Sequence, residues 1–416
     1  MPDTSGLLVP PALQASLARV ARLAPLIAIG LCGVACSNSA DDAGVPTRDV
    51  LQNYATLVSA NYGETLSGAE QLDRAISKLC DAPSEDHLRA ARDAWLAARD
   101  PYSLSEAYRF SQGPIDNDDQ DDDIPDGPEP LINSWPLDES YIDYVVGPNG
   151  DPIQTGIINL PEEFPVLDAE TLAAANATPS VGETSISTGY HAIEFLLWGQ
   201  DLDPNGPGDR PYTDYVTDGG GTAENQGRRA DYLRAVSKLL VDDLSTVNSA
   251  WLADADDYRA YFLQLPSKVA LGKLLLGMGS LSGAELSGER MKVAYDNKDQ
   301  EDEHSCFSDN TLADLHNNAV SIQDVLLGRY RDLDGPGIDE LIAERDPVLA
   351  DKLRAQIQDA IDAIDAVPPP FDQAILGDDD SPGRQNILAA IEHLQDFKET
   401  LVDAARALDI DLKIDE

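Results

Sequence analysis

The most constraining feature of this 416-residue sequence is a short segment, residues 187–199, that is mostly apolar yet contains two ionisable residues. A Ser–Thr pair can cap its start and Gly199 can end it, so the segment is predicted to form a helix of about three turns. The second half of this helix is apolar on every side, which predicts burial. His191 and Glu194 are three residues apart and share one face, where each needs a polar partner.

The rest of the chain has mainly helical periodicity. Apolar residues recur at intervals of three and four from residue 47 onward, which predicts about ten helices and almost no strands. Long helices on both sides of a loop-rich middle predict an all-α fold with two tandem four-helix-bundle-like halves. We expect the first bundle at about residues 47–200 and the second at about 225–410, within one domain over residues 47–410.

Two local patterns refine this helical prediction. An apolar helix opened by Pro266 contains the glycines Gly272, Gly277, Gly279 and Gly283. Because glycine weakens a helix interior, this pattern predicts close packing against another backbone.

Elsewhere, Asp100 followed by Pro101 predicts that one helix ends and another begins.

Charge limits the partners that this chain can bind. Its 75 acidic residues outnumber its 29 basic residues and give a net charge of −46. This charge repels nucleic-acid phosphates and anionic lipids, so cations are the natural partners, although solubility or a salty habitat also explains the excess. The loop over residues 113–136 is rich in Asp and is interpreted either as a solvated loop or as a structural Ca²⁺ site.

The N-terminal residues have the pattern of an export signal. Two arginines precede an apolar run, residues 23–31, which is too short to span a bilayer. Small residues then lead to Cys36, as is typical of a lipoprotein cleavage site. We therefore expect a signal peptide over residues 1–36, a lipid on Cys36 that anchors the protein to the envelope membrane, and a flexible tether over residues 37–46.

After export, Cys80 and Cys306 would remain as an even pair far apart in sequence. In an oxidising envelope such a pair predicts one structural disulfide, and two separate buried thiols are the alternative.

Three stretches resemble the imelysin family of bacterial envelope proteins, especially its iron-regulated lipoprotein branch. The sequence Gly189-Tyr190-His191-Ala192-Ile193-Glu194 is similar to the GxHxxE signature of that family. The other two stretches are residues 95–116 and residues 286–311. The resemblance implies two related helical bundles with the functional site where they meet, and it implies a location in the cell envelope, with the outer membrane as the expected anchor.

Carried over residue by residue, the resemblance also implies a composite site. Its metal ligands would be His191 and Glu194. Its binding residues would be Arg99, Glu106, Arg109, Asp116, Glu289 and Arg290. Without the resemblance, Glu106 and Arg109 would be interpreted as a surface ion pair, since they share a helix face.

These patterns lead to a principal hypothesis and two alternatives. We expect an exported imelysin-like lipoprotein that binds iron, another divalent metal or an iron-bearing ligand, and assists iron uptake without catalysis. A metallopeptidase with His191 as metal ligand and Glu194 as base is the first alternative, although the two-histidine motif of helical zinc peptidases is absent from this segment. The second alternative is a surface scaffold.

Overall fold

The computed structural model describes residues 44–118, 124–176, 182, 184–203, 205–253 and 257–414. The predicted signal peptide, Cys36 and most of the tether lie outside these residues, as do four acidic residues of the loop at 113–136. In the described part of the chain the α-helices are, in order, α1 (Thr47–Asp81), α2 (Glu85–Ser103), α3 (Glu129–Ile132), α4 (Glu139–Ile142), α5 (Gly156–Asn159), α6 (Ala169–Ala175), α7 (Gly189–Trp198), α8 (Gln226–Ala250), α9 (Tyr258–Gln264), α10 (Ser267–Ser280), α11 (Val293–Asn297), α12 (Thr311–Leu327), α13 (Ile338–Arg345), α14 (Pro347–Asp365), α15 (Phe371–Leu376) and α16 (Pro382–Ala407).

Shorter elements connect these helices. A π-helical segment, Leu281–Lys292, joins α10 to α11, so that the three form one continuous rod. Short 3-10 turns occur at Glu106–Tyr108, Tyr212–Tyr215 and Gln300–Asp302. Two antiparallel hairpins of two-residue strands pair β1 (Val145–Val146) with β2 (Pro152–Ile153) and β3 (Arg329–Tyr330) with β4 (Leu333–Asp334).

The first group of helices consists of α1, α2, α7 and α8. Helix α1 buries Leu51, Val58, Leu72 and Ile76, whose spacing places them on the face that α2 and α8 cover. Helix α7 is buried along its whole length, as its apolar sequence predicts. A hydrogen bond also joins α2 to α7, because the indole Nε1 of Trp95 donates to the carbonyl oxygen of Tyr190 at 3.0 Å.

The second group contains the rod of α10 and the π-helical segment, together with α12, α14 and α16. The two groups meet where α12 packs on α2 and where α10 packs on α1. The predicted all-α fold of two bundle-like halves is therefore confirmed.

Helix α8 packs differently from its expected place in the second bundle. It contacts α1 and α7, and it buries Tyr232, Leu233, Val236 and Leu240. The described part of residues 47–200 supplies only three helices of ten or more residues, of 35, 19 and 10 residues, so the first group takes its fourth helix from the segment that follows. By packing, the first group extends to residue 250.

The helix break expected at Pro101 is wrong. Helix α2 continues through Pro101 to Ser103, and the 3-10 turn containing Glu106 follows. A proline in the last turn of a helix removes only one backbone hydrogen bond, so α2 tolerates it there.

The predicted disulfide is also wrong, because Cys80 and Cys306 are both free thiols. The Sγ of Cys80 lies 3.7 Å from the carbonyl oxygen of Ala230 in α8. Cys306 is buried in the segment before α12, close enough to Glu194 for that carboxyl to raise its pKa further after burial. The two thiols thus have different neighbours, and burial raises the pKa of Cys80 to about 12, which disfavours the thiolate that oxidation requires.

Within the described residues one helix, Ser267–Asn297, is long and apolar enough to cross a membrane by length and composition. Most of the most apolar stretch of this helix is buried inside the fold, where α12 and α16 cover it.

The glycines of this rod confirm the predicted close packing at one position. A Cβ atom at Gly277 would overlap the carbonyl oxygen of Ala107 and would lie 3.0 Å from that of Arg109. A Cβ at Gly272 would meet only a methyl group of Ile410, at an ordinary 3.8 Å. The chain that contains Glu106 and Arg109 therefore rests directly on the backbone of α10 at Gly277.

We expect Gly277→Ala to destabilise the protein by about 1–3 kcal/mol, because the added methyl group forces the two backbones apart. The matched variant Gly272→Ala should be neutral or more stable by up to about 1 kcal/mol, because alanine favours a helix more than glycine does. Urea denaturation followed by circular dichroism measures both changes. Equal stability of the two variants would contradict the tight contact at Gly277.

Candidate functional site

The centre of the site is the pair that α7 buries. His191 Nδ1 lies 3.0 Å from Glu194 Oε2, and both side chains are fully buried. Glu194 Oε1 accepts hydrogen bonds from the backbone N–H of Ser308 at 3.0 Å and from its hydroxyl at 2.7 Å. The other ring nitrogen, His191 Nε2, is buried and has no hydrogen-bond partner among the described residues. Both oxygens of Glu194 thus have hydrogen-bond partners, whereas Nε2 of His191 has none among the described residues.

Burial controls the charge of this pair. It raises the pKa of Glu194 to about 8, although the hydrogen bonds from Ser308 oppose the rise. It also lowers the pKa of His191 well below its ordinary value, and the nearby Arg99 and His304 lower it further. At neutral pH the two side chains are therefore mainly neutral and share a proton between Oε2 and Nδ1.

A buried ion pair next to this centre joins the two groups of helices. Arg99 of α2 donates through Nε to Asp314 of α12 at 3.1 and 3.2 Å, and each side chain is 1% exposed. Asp314 also accepts from Ser103 at 2.7 Å and from Ser305 at 2.5 Å. Burial alone would raise the pKa of Asp314, but Arg99, His304 and the hydrogen bond from Ser305 hold it well below its ordinary range. The carboxylate is thus a charged anchor between the bundles.

His304 connects this anchor to the His191 centre. Its Nδ1 lies 3.2 Å from Arg99 Nη2 and 3.4 Å from Asp314 Oδ2. Its ring centre lies 5.0 Å from that of His191 and 6.3 Å from that of Trp135, which is itself 5.3 Å from His191. Burial lowers the pKa of His304 to about 4, and Arg290 contributes to the decrease. His304 is therefore neutral at physiological pH.

A second charged cluster surrounds Glu106. Its Oε2 accepts from Arg109 Nη1 at 2.9 Å and from Arg290 Nη2 at 2.7 Å. Arg109 also pairs with Glu129 at 3.0 Å, and Arg290 with Glu285 at 2.7 Å. Burial would raise the pKa of Glu106, but the two arginines lower it to about 2. Both arginines are thus already neutralised by carboxylates.

The π-helical segment explains how Arg290 reaches Glu285. In an α-helix, residues five apart point in directions about 140° apart and cannot pair. In a π-helix the backbone hydrogen bonds connect residues five apart, so their side chains lie close to the same face. Arg290 consequently donates through both Nε and Nη2 to Glu285 Oε1, at 3.1 and 2.7 Å.

A polar cavity of about 330 Å³ opens beside these clusters. Its wall includes the rings of Trp135 and His304 and the two arginines. Its carboxylates are those of Glu129, Glu285, Glu289 and Asp302. Oxygen and imidazole groups of this kind can hold a hydrated metal ion. Among the described residues, however, no three His, Cys, Asp or Glu side chains are arranged to hold a metal ion.

The structure brings together most of the residues implied by sequence. Arg109, Glu289 and Arg290 line the cavity, and Glu106 binds two of them. Arg99 lies deeper and contacts His304, whereas His191 and Glu194 lie behind the rings of Trp135 and His304.

Asp116 does not line the cavity. It accepts hydrogen bonds from the backbone N–H groups of Phe110 and Gly113, the latter at 3.1 Å, and so closes its own loop. This role accounts for one of the acidic residues in the predicted Ca²⁺ loop, for which binding stays a prediction.

Sequence reasoning missed several side chains of the site. Glu129 and Trp135 lie in the loop over residues 113–136, which has no periodicity, so no local sequence pattern predicted their position in the site. Asp314 lies on the amphipathic helix α12, where the sequence pattern indicates burial for the apolar residues only. His304 lies in a stretch rich in Asp and Glu, which carries no periodic signal of burial, yet its side chain is buried.

The charge state of Glu194 gives a testable dependence of stability on pH. Its carboxyl has a pKa of about 8 in the folded protein against an ordinary 4.5, so its stabilising contribution is complete below pH 4.5 and is lost as the pH rises through about 8. The Gln side chain of Glu194→Gln mimics the neutral acid at every pH. We therefore expect the variant to gain stability relative to wild type between pH 5 and 9, on the order of a few kcal/mol.

Urea denaturation in the presence of a chelator measures this difference. Glu392→Gln, at an exposed position of α16, serves as the control and should follow wild type. A constant difference between Glu194→Gln and wild type across this pH range would contradict a neutral Glu194.

The sequence and the fold of this chain are similar to those of known proteins. The sequence profile of the imelysin family matches residues 58–401. Iron-regulated protein A of Synechococcus elongatus is 25% identical over 350 residues, which are 83% of this chain and 83% of that protein.

Two solved structures share the fold. One, assigned as an iron-regulated protein A precursor from Parabacteroides distasonis, has a TM-score of 0.64 and 21% identity, covering 88% of this chain and 96% of that one. The other, an imelysin-like protein from Psychrobacter arcticum, has a TM-score of 0.60 and 16% identity, covering 88% and 97%. With a family profile that spans most of its length and a matching helical fold, this chain belongs to the imelysin family.

Proposed function

We propose that this imelysin-family protein is exported, binds iron in the cavity beside His304, and assists its uptake without catalysis. The iron would enter as a hydrated ion or as a small iron chelate. Two similarities support this proposal. The relative in Synechococcus elongatus is named iron-regulated protein A, and the Parabacteroides distasonis protein is assigned as an iron-regulated protein A precursor.

The observation that carries the proposal is the surplus of carboxylates at the cavity. Four acidic side chains line it together with two arginines, and both arginines also bind Glu106. Together with Glu106, the cavity thus has five carboxylates against two guanidinium groups. The excess negative charge favours a cation over an anionic ligand. Glu289, which is exposed, and Asp302 are the carboxylates best placed to receive it.

The size of the cavity limits the cargo. A volume of about 330 Å³ leaves room for several water molecules. That space suits an ion with its hydration shell or a small chelate. Because no three ligand side chains of the described residues are arranged to hold a metal ion, we propose that the ion keeps part of its water shell.

We assign different roles to the two histidines. His304 lines the cavity and would meet the cargo, whereas His191 lies one ring layer behind it. Glu194 contacts Nδ1 of His191, and after loss of the proton that they share the pair would take the arrangement by which a carboxylate orients an imidazole in metal sites. His191 would therefore act by positioning the ring of His304, or as a ligand after a shift of that ring exposes Nε2.

The geometry gives less support to the two alternatives. In a metallopeptidase Glu194 would have to reach a water molecule and a peptide, but it is fully buried and bound by His191 and Ser308. A scaffold would fit the closed environment of His191. It would not account for the charged cavity in front of it.

The proposal is tested by iron binding to chelator-treated protein. Equilibrium dialysis against Fe²⁺ under anaerobic conditions, and against Fe³⁺–citrate, followed by metal analysis, gives the affinity for each. We expect the double variant Glu289→Gln and Asp302→Asn to bind at least about tenfold more weakly, because it removes two negative charges from the cavity. A double variant on α16, Glu392→Gln and Asp396→Asn, removes two exposed charges elsewhere and should bind like wild type.

The histidines are tested in the same assay. His304→Gln and His191→Ala should each weaken binding, whereas His316→Gln, which changes an exposed histidine paired with Asp365, should not. Absence of iron binding by wild type, or equal binding by the cavity and α16 double variants, would contradict the proposal. Peptide hydrolysis that disappears in Glu194→Gln would instead favour the peptidase.

We further propose that a lipid on Cys36 holds the protein at the envelope membrane. We expect Cys36→Ser to move the protein from the membrane fraction to the soluble fraction of the producing cell, because a protein without an acyl chain lacks its anchor. Immunoblotting of the two fractions measures the change, and unchanged membrane association would contradict the anchor.

A further inference from the structure

A second cavity, of about 340 Å³, lies beside the C-terminal end of α7. Its wall includes Tyr144, Trp198, Gly199 and Arg210, and it shares no described lining residue with the cavity of the proposed iron site. Arg210 is only 4% exposed, so the wall contains a buried guanidinium group. The proposed iron site does not use this group.

The fold holds the guanidinium group of Arg210 in one orientation. Its Nη1 donates to Asp143 at 2.8 Å and to Asp214 at 3.2 Å. Its central carbon lies 5.1 Å from the ring centre of Tyr144 and 5.2 Å from that of Phe195. A guanidinium group fixed by two carboxylates and two rings keeps its direction without a ligand, which lowers the entropic cost of binding one.

The other edge of this guanidinium group has no partner. Nε is buried and has no hydrogen-bond partner among the described residues, none of which accepts from Nη2 either. The last carbonyl oxygens of α7 already have donors. That of Leu197 accepts from Arg92 at 3.1 Å, and that of Trp198 accepts from the backbone N–H of Arg210 at 2.7 Å. Because a buried N–H group without an acceptor is costly, the edge formed by Nε and Nη2 indicates a ligand.

A glycine gives access to this edge. A Cβ atom at Gly199 would lie 3.2 Å from the Cβ of Arg210 and 3.6 Å from its Nε. The backbone requires glycine there, because residue 199 ends α7 with a φ of 75°. The space that any other side chain would occupy is therefore part of the cavity, and it lies within contact distance of Nε.

The charges of the cavity restrict the class of ligand. The Nε and Nη2 edge of an arginine donates two parallel hydrogen bonds, which match the two oxygens of a carboxylate. Arg210 is the only basic group among the described lining residues, and its charge is already shared with two buried carboxylates. Asp203 and Asp209 line the same cavity and are exposed. They would repel a ligand with a net negative charge and attract a cationic group.

We infer that this cavity binds a small zwitterion such as a free α-amino acid. Its carboxylate would accept from Nε and Nη2 of Arg210, and its ammonium group would face Asp203 or Asp209. Val146 and Trp198 would contact its apolar part. A cavity of about 340 Å³ admits a molecule of this size but no folded partner.

Equilibrium dialysis of isotope-labelled L-alanine against the full-length protein at physiological salt tests this inference. We expect saturable binding, at least about tenfold tighter than that of propionate, which lacks the ammonium group, and of ethylamine, which lacks the carboxylate. Competition against the labelled alanine measures both. Arg210→Lys should weaken alanine binding at least about tenfold, because lysine keeps the charge but has no two-donor edge.

A second variant tests the ammonium contact without changing the buried cluster around Arg210. The double variant Asp203→Asn and Asp209→Asn should bind alanine no more tightly than propionate. The matched control, Glu392→Gln and Asp396→Asn on α16, also removes two exposed carboxylates and should bind alanine like wild type.

Absence of saturable alanine binding by wild type, as expected if water alone fills the cavity, would overturn the inference. Equal alanine affinity in the two double variants, or equal affinity of wild type for alanine and propionate, would overturn it as well. The iron measurements do not bear on these outcomes, because the two cavities have different lining residues.

Discussion

The ion pair between Arg99 and Asp314 is the interaction on which the rest of the site depends. It joins α2 of the first group of helices to α12 of the second, and both partners are almost completely buried. Arg99 also donates to Asn133 at 2.5 Å and lies over the rings of Tyr102 and Tyr190. Loss of either charge would leave the other buried and unpaired, at a cost of about 3–5 kcal/mol. The relative position of the two groups at this point is therefore fixed by charge as well as by apolar packing.

From this pair outward, the site consists of three layers that differ in polarity. The deepest contains the neutral pair of His191 and Glu194, where burial suppresses charge. The rings of His304 and Trp135 form the middle layer, and the carboxylates of the cavity form the outer one. This order separates the carboxylates of the cavity from the buried pair that lies behind them.

Much of the fold follows from local sequence patterns. The segment at 187–199 forms helix α7, with Gly199 at its C-terminal end in a positive-φ conformation. Amphipathic periodicity also marked α1, α12, α14 and α16, because each buries a single stripe. Local patterns failed where the outcome depended on distant contacts. The packing of α8 on α1 and α7, for example, results from tertiary neighbours.

By itself, the sequence determined that the chain is helical, that α7 is buried, and that His191 and Glu194 share one face of it, because these properties arise from periodicity and hydrophobicity over a few turns. Only the tertiary structure decided which polar groups meet. His304 and Asp314 are separated from Arg99 by more than 200 positions, and the Glu285–Arg290 pair requires a π-helical backbone. Pairings of this kind depend on the packing of helices in space, which no local pattern encodes. The same packing leaves Cys80 and Cys306 with different neighbours.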